Sequence, residues 1–279
     1  MRNKKLSFSL AGTALALLIT YVLLLIVFKP GAVSQQEPIW RLSVTDIMLI
    51  VINEHGEELR FENDKQLGWI LSEPSGIPYD RSIAEALPLT LTNLTAEKEI
   101  ATSAISLSQY GLDDPIEIQL FLKDGTMRKL FIGDISITGD SRYFSIDTGI
   151  VYTMDAAKGA SLALNYLNIR DKNVLGLNRT LRPRDIAARI TDIRVNGESS
   201  PEFADALARL TAEVFLGEGE FNKYGLETPR YTIEFMTENG AKTLYIGNSV
   251  ANGEDFYART SDNDYVFTIS KRGFDKLVD

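Results

Sequence analysis

A short run of this chain returns later at a fixed spacing, and that return limits its architecture more than any other feature. Tyr110-Gly111-Leu112-Asp113-Asp114-Pro115 reappears as Tyr224-Gly225-Leu226-Glu227-Thr228-Pro229, an offset of 114. At the same offset Leu130-Phe131-Ile132-Gly133 matches Leu244-Tyr245-Ile246-Gly247, and Gly139 and Tyr143 match Gly253 and Tyr257. Val151-Tyr152-Thr153-Met154 then answers Val266-Phe267-Thr268-Ile269 with one residue added in a turn. Matches in one order at a constant spacing mark an internal duplication, so the chain has to fold as two copies of one unit.

Period-2 patterning says what the unit is. Ile116, Ile118, Leu120 and Leu122 alternate with mostly polar neighbours, Asp124-Gly125 supplies a turn that tolerates positive φ, and Met127 to Ile132 resumes the extended pattern. Copy two repeats this hairpin with Tyr231, Ile233 and Phe235, the turn Asn239-Gly240, and Leu244 to Ile246. Two more short strands follow in each copy, Arg142 to Ile146 and Ile150 to Met154, then Phe256 to Thr260 and Tyr265 to Ile269. The result is an antiparallel meander. Asp155 and Ser270 stand at N-cap positions before expected helices, Ala156 to Leu167 and Lys271 to Val278.

Upstream of each Tyr-Gly-Leu, a strand and a helix are expected. Asp46 to Ile52 and Asp185 to Val195 read as the strands. A helix runs from Asp80 through Ile83, Ala84 and Leu87 toward Leu94, with Pro88 as a kink or early stop. Its counterpart is capped by Ser200 with Pro201 at the first position, and Phe203, Ala206, Leu207 and Leu210 share one face. Copy one carries an extra hairpin, Glu57 to Phe61 and Trp69 to Leu71, that copy two lacks. The fold class is therefore α+β, two tandem repeats, each an antiparallel β-meander with covering helices.

The N-terminus follows other rules. Leu6 to Phe28 is 23 residues without a charge, and as a helix it reaches roughly 34 Å, enough to cross a hydrocarbon core of about 30 Å. Arg2, Lys4 and Lys5 precede it, so the positive-inside bias puts the N-terminus in the cytoplasm and the body outside. A cleaved signal peptide ending near Ala32-Val33-Ser34 is the competing reading, but the apolar segment exceeds the usual length of such a core. The expected layout is a cytoplasmic tail at 1–5, a single-pass anchor at 6–28, a linker at 29–40, repeat one at 41–178 and repeat two at 179–279.

The chain contains no Cys and one His, which removes disulfides, thiolate or multi-histidine metal sites and a cysteine nucleophile. Without Arg2, Lys4, Lys5 and Lys29, 25 basic residues face 38 acidic ones, a net charge of −13. That balance opposes nucleic-acid binding through phosphates. No Gly-x-Ser-x-Gly elbow, Ser-x-x-Lys pair or Walker-type phosphate loop is present. No catalytic, cofactor-binding or metal residue is assigned, and no cofactor is expected. Tyr110-Gly111-Leu112 and Tyr224-Gly225-Leu226 are expected to be tight turns with core plugs rather than ligand pockets. Asp113 and Asp114 read as a solvated turn, and His55 as an exposed hairpin tip. Arg170, Lys172, Arg179, Arg182 and Arg184, against only Asp171 and Asp185, read as a solvated connector pairing with nearby carboxylates.

The series of strand, helix, Tyr-Gly-Leu-Asp-Asp-Pro, hairpin, Leu-Phe-Ile-Gly-Asp, aromatic strand and Leu167-Asn168-Ile169-Arg170-Asp171-Lys172 carries a resemblance over about Arg41 to Asp279. The chain resembles a bacterial domain-of-unknown-function family of membrane-anchored, internally repeated extracytoplasmic proteins associated with gliding-motility-type ABC transporters. The resemblance implies a non-catalytic accessory, scaffold or binding subunit of an ABC-type transport or envelope complex, with the membrane and the permease and ATPase subunits as partners. It implies no catalytic residue. An independent envelope module for a glycan or peptide is the alternative, with an extracytoplasmic hydrolase ranked below it.

Overall fold

The computed structural model describes residues 37–278 apart from 103–105, 147–148, 178–179 and 252. The expected anchor at Leu6 to Phe28 lies outside the described residues; among them, no helix is long and apolar enough to cross a membrane.

Repeat one begins with a Ser43-capped turn of 3-10 helix and then β1 (Ile47–Glu54), β2 (Glu57–Asp64) and β3 (Gly68–Glu73). Helix α1 (Arg81–Thr92), β4 (Lys98–Thr102), β5 (Ile116–Leu122), β6 (Met127–Ile135), β7 (Ser141–Ile146), β8 (Ile150–Asp155) and α2 (Ala156–Leu162) complete it. Repeat two comprises α3 (Pro183–Ala187), β9 (Thr191–Val195), β10 (Glu198–Ser199), α4 (Ala204–Arg209), β11 (Phe215–Glu218), β12 (Tyr231–Thr237), β13 (Gly240–Ser249), β14 (Asp255–Thr260), β15 (Tyr265–Ser270) and α5 (Lys271–Val278). The two antiparallel sheets have the same topology, β3-β2-β1-β5-β6-β7-β8-β4 and β10-β9-β12-β13-β14-β15-β11. The extra hairpin of copy one is β2–β3, and the two-residue β10 stands at its place in copy two.

Alternation along the strands sends one set of side chains to a core and the other to the opposite face. In repeat one Ile118, Leu120, Leu130 and Phe144 are fully buried against Ala84, Leu87 and Leu91 of α1. Repeat two packs Ile233, Leu244, Ile246 and Phe267 against Leu207 of α4 and Leu277 of α5. The helices thus cover one face of each sheet. Ile39 and Trp40 dock on the first core, where the Ile39 amide donates to the Leu94 carbonyl at 2.7 Å.

Four expectations change. Pro88 does not stop α1, which runs on to Thr92; burying Leu87 and Leu91, each about 1.5–3 kcal/mol, offsets the roughly 3 kcal/mol that an interior proline costs. Asp185 to Val195 is not one strand. Pro183 at the first position and Asp185 in the first turn start a helix, and the strand begins at Thr191. Ser200 makes no side-chain cap; its hydroxyl donates to the Glu198 carbonyl at 3.1 Å, and a 3-10 turn at Pro201–Phe203 leads into α4. The helix capped by Asp155 ends at Leu162 rather than Leu167. Beyond it, Asn165 accepts from the Leu167 and Asn168 amides and Asn168 donates to the Ala163 carbonyl, an alternative that ends the helix.

Candidate binding pocket

The duplicated motifs lock onto one another. Gly111 and Gly225 adopt left-handed φ values of 65° and 70°. A Cβ on Gly133 would lie 2.1 Å from the Tyr110 carbonyl oxygen, and one on Gly247 would lie 2.2 Å from that of Tyr224. Only glycine lets the Tyr-Gly-Leu turn seat against the strand that carries Ile-Gly. The tyrosine of each turn then meets the next matched aromatic: Tyr110 and Tyr143 ring centroids are 4.9 Å apart, and Tyr224 and Tyr257 4.7 Å. The tight turn is as expected, but Tyr110 and Leu112 do not plug the main core: they pack with Phe131, Tyr143 and Val151 in a separate small cluster, and Leu112 also lines the neighbouring cavity.

Beside the lock in repeat one is a cavity of about 650 Å³, lined by Asn53, His55, Leu107, Asp114, Glu117, Phe131 and Ser145 among others. It lies on the sheet face opposite the helices. Glu117 pairs with Phe131, and Phe131 with Ser145, across three adjacent strands, so these side chains form its floor. At the rim, His55 Nδ1 lies 3.0 Å from Asp114 Oδ2, both groups largely exposed. The β1–β2 hairpin delivers His55: β1 pairs Asn53 with Glu117, and the His55-Gly56 turn, both residues at positive φ, projects beyond that pair. In repeat two the turn residue Asn196 itself bonds Thr232, so its hairpin is shorter.

Electrostatics at the floor centre on Glu117. Its Oε1 accepts from Lys129 at 2.6 Å and from Gln119 at 3.0 Å. The Lys129 bond holds the carboxyl below its usual range, against the opposing effect of burial. Ser145 donates its hydroxyl proton to the Ile146 carbonyl at 3.3 Å. Among the described residues, no group of three or more His, Asp or Glu is placed to hold a metal ion.

The same place in repeat two is filled. Phe221, Tyr245 and Arg259 stand 114 residues after Leu107, Phe131 and Ser145, and Tyr245 pairs with Arg259 just as Phe131 pairs with Ser145. The Arg259 guanidinium lies 4.0 Å from the Tyr245 ring centroid and 4.6 Å from that of Phe221, a cation held between two aromatic faces. Its Nε is buried without a hydrogen-bond partner. The offset that reveals the duplication also exposes these differences in the sequence, but only the strand pairing shows that they coincide in space.

Of the basic cluster, Arg182 pairs with Asp185 at 2.9 Å as expected, and Arg179 lies outside the described residues. Arg170 departs from the solvated connector. It is buried at the junction of the repeats, its guanidinium 3.1 Å from the Tyr265 ring centroid, 4.9 Å from Tyr166 and 5.8 Å from Phe215. Burial, with hydrogen bonds to Tyr166 and Glu218, pushes the Tyr265 phenol up. The flanking Tyr79–Arg170 bridge ties this residue to repeat one while its aromatic neighbours Phe215 and Tyr265 belong to repeat two. The Ala212 amide also donates to the Lys172 carbonyl at 2.9 Å, so the junction is packed.

No curated protein and no solved structure matches the chain. A family described as a domain of unknown function, DUF4340, matches twice, at residues 69–198 and 188–278, in keeping with the duplication. On a match that spans most of its length, the chain belongs to the DUF4340 family.

Proposed function

We propose that the chain is a non-catalytic binding or scaffold subunit, anchored by Leu6 to Phe28 with its body outside the cytoplasm, and accessory to an ABC-type transport or envelope complex. The observation that carries the binding role is the divergence of the two repeats. One sheet position is an open cavity of about 650 Å³ in repeat one and is occupied by Arg259 between two rings in repeat two. A volume in the range of roughly 300–1,000 Å³ suits a small group or side chain. On this reading repeat one binds and repeat two supports it through the Arg170 junction. The uncharged N-terminal segment and the family resemblance support the anchor and the transporter association.

The test is co-purification of the full chain in mild detergent. Permease and ATPase subunits are expected to accompany it, and Ser145→Arg, which fills the cavity, is expected to reduce their recovery several-fold. A chain that migrates alone under conditions preserving known transporter complexes overturns the accessory role. An independent glycan- or peptide-binding envelope module would instead retain its ligand with no transporter subunit present.

A further inference from the structure

Three positions differ between the repeats in a coordinated way. Where repeat two has the cation Arg259, repeat one has Ser145 on the same strand pairing. Where repeat two has Thr228 at the end of its Tyr-Gly-Leu turn, repeat one has Asp114. Opposite the floor aromatic, repeat two has Thr232 across from Tyr245, whereas repeat one has Glu117 across from Phe131. One copy therefore holds a guanidinium of its own. The other has Ser145 in place of that guanidinium, an aromatic face at Phe131, and two carboxylates, Asp114 and Glu117, around the open space.

We infer that the repeat-one cavity receives an arginine side chain from a partner polypeptide, its guanidinium stacked on Phe131 and bonded by Asp114 and Glu117, in the position that repeat two fills with Arg259. This rests on the reading of the cavity as the docking site and names the chemistry of its occupant. A guanidinium is planar and weakly hydrated, so it stacks on an aromatic ring and presents several N–H donors to carboxylates at its edge. Among the described residues the lining includes His55, Asp114 and Glu117 and no Lys or Arg; Lys129, outside that lining, stands 6.0 Å from the Phe131 ring centroid, and His55 faces Asp114 at the rim. Lys129 bonds Glu117 from the neighbouring position on β6, and that bond and the one from Gln119 both use Oε1. The body's net charge of −13 adds a field that draws a cationic segment toward it.

The experiment titrates the full chain in detergent micelles with the tripeptide acetyl-Gly-Arg-Gly-amide and with its citrulline counterpart, which keeps shape and loses charge. Amide resonances of Gly56, Ser145 and Gly149 are followed by NMR. The arginine peptide is expected to saturate these shifts and the citrulline peptide to bind at least tenfold more weakly. Ser145→Arg is expected to weaken arginine binding at least tenfold, as is the pair Asp114→Asn with Glu117→Gln. Leu107→Phe, at an exposed position, rebuilds the second ring supplied by Phe221 and is expected to tighten binding several-fold, a gain that misfolding cannot produce. Equal binding of both peptides, or unchanged binding by Ser145→Arg, overturns the inference. If the arginine peptide does not bind yet Ser145→Arg still strips transporter subunits, the cavity is the docking site and the guanidinium assignment is wrong. If neither effect occurs, both fail.

Discussion

Gly133→Ala tests the physical account of the duplicated motif. The added Cβ would stand 2.1 Å from the Tyr110 carbonyl oxygen and 3.1 Å from Leu112 Cγ. An ordinary carbon–oxygen contact is about 3.3 Å or more, so the turn has to retreat by roughly 1.2 Å. Overpacking of this kind typically costs 1–3 kcal/mol, and the obstacle here is backbone, so about 3 kcal/mol is expected. For a body of this size that lowers the unfolding midpoint by roughly 6–12 °C. Trp40 and Trp69 both belong to the first core, and the chain has two tryptophans, so tryptophan fluorescence follows repeat one. Gly247→Ala meets the Tyr224 carbonyl, which also accepts from the Asn248 amide at 2.9 Å. Losing that bond adds about 1 kcal/mol, and the loss is expected in far-UV circular dichroism, as repeat two has no tryptophan. Gly111→Ala would strike the side chain of exposed Asp134, which can move, leaving chiefly left-handed strain of about 1–2 kcal/mol. Gly125→Ala, with nothing within 4 Å of its Cβ, is the control for φ strain alone. If Gly133→Ala is no more destabilising than Gly125→Ala, the lock between the two motifs is not what the repeat preserves.

Further outcomes concern charge. Arg170→Ala removes a desolvated cation–π contact worth up to about 2 kcal/mol together with buried side-chain volume. It is expected to split one unfolding transition into two, fluorescence and circular dichroism no longer coinciding; coincident melts would mean that the junction does not couple the repeats. Arg170→Met keeps much of the volume and drops a guanidinium whose Nε and Nη2 lack partners, so it is expected to be milder than Arg170→Ala by about 1 kcal/mol or more. Because Lys129 holds Glu117 below the ordinary glutamate value of 4.5, that bond contributes stability fully present above pH 4.5 and lost as pH falls through the lower folded-state value. Thermal midpoints of wild type and Glu117→Gln are therefore expected to differ at neutral pH and to converge below pH 4.5, and a difference independent of pH would refute this.

Much of the framework was legible because its determinants are local. Ile116, Ile118, Leu120 and Leu122 alternate in the chain and are buried in the fold, and Asp80 and Asp155 cap helices through their own side chains. Edge strands β4 and β11 were not legible. Lys98 and Glu99 begin the first, and Gly217 interrupts the second, so neither shows a period; each exists because β8 or β15 offers it an open ladder. Likewise Pro88 reads as a kink or early stop until the burial of its neighbours is known.

The sequence by itself determined the duplication, the meander and the glycines on which each copy turns, since a repeated motif and a period of two are properties of the chain alone. Tertiary structure decided which residues meet. His55 reaches Asp114 because the β1–β2 hairpin extends beyond its pairing with β5, and the cavity exists because cross-strand pairing sets Ser145 beside Phe131 where Arg259 sits beside Tyr245 in the other copy. Hairpin length and strand register join residues far apart in sequence, and no local pattern records that choice.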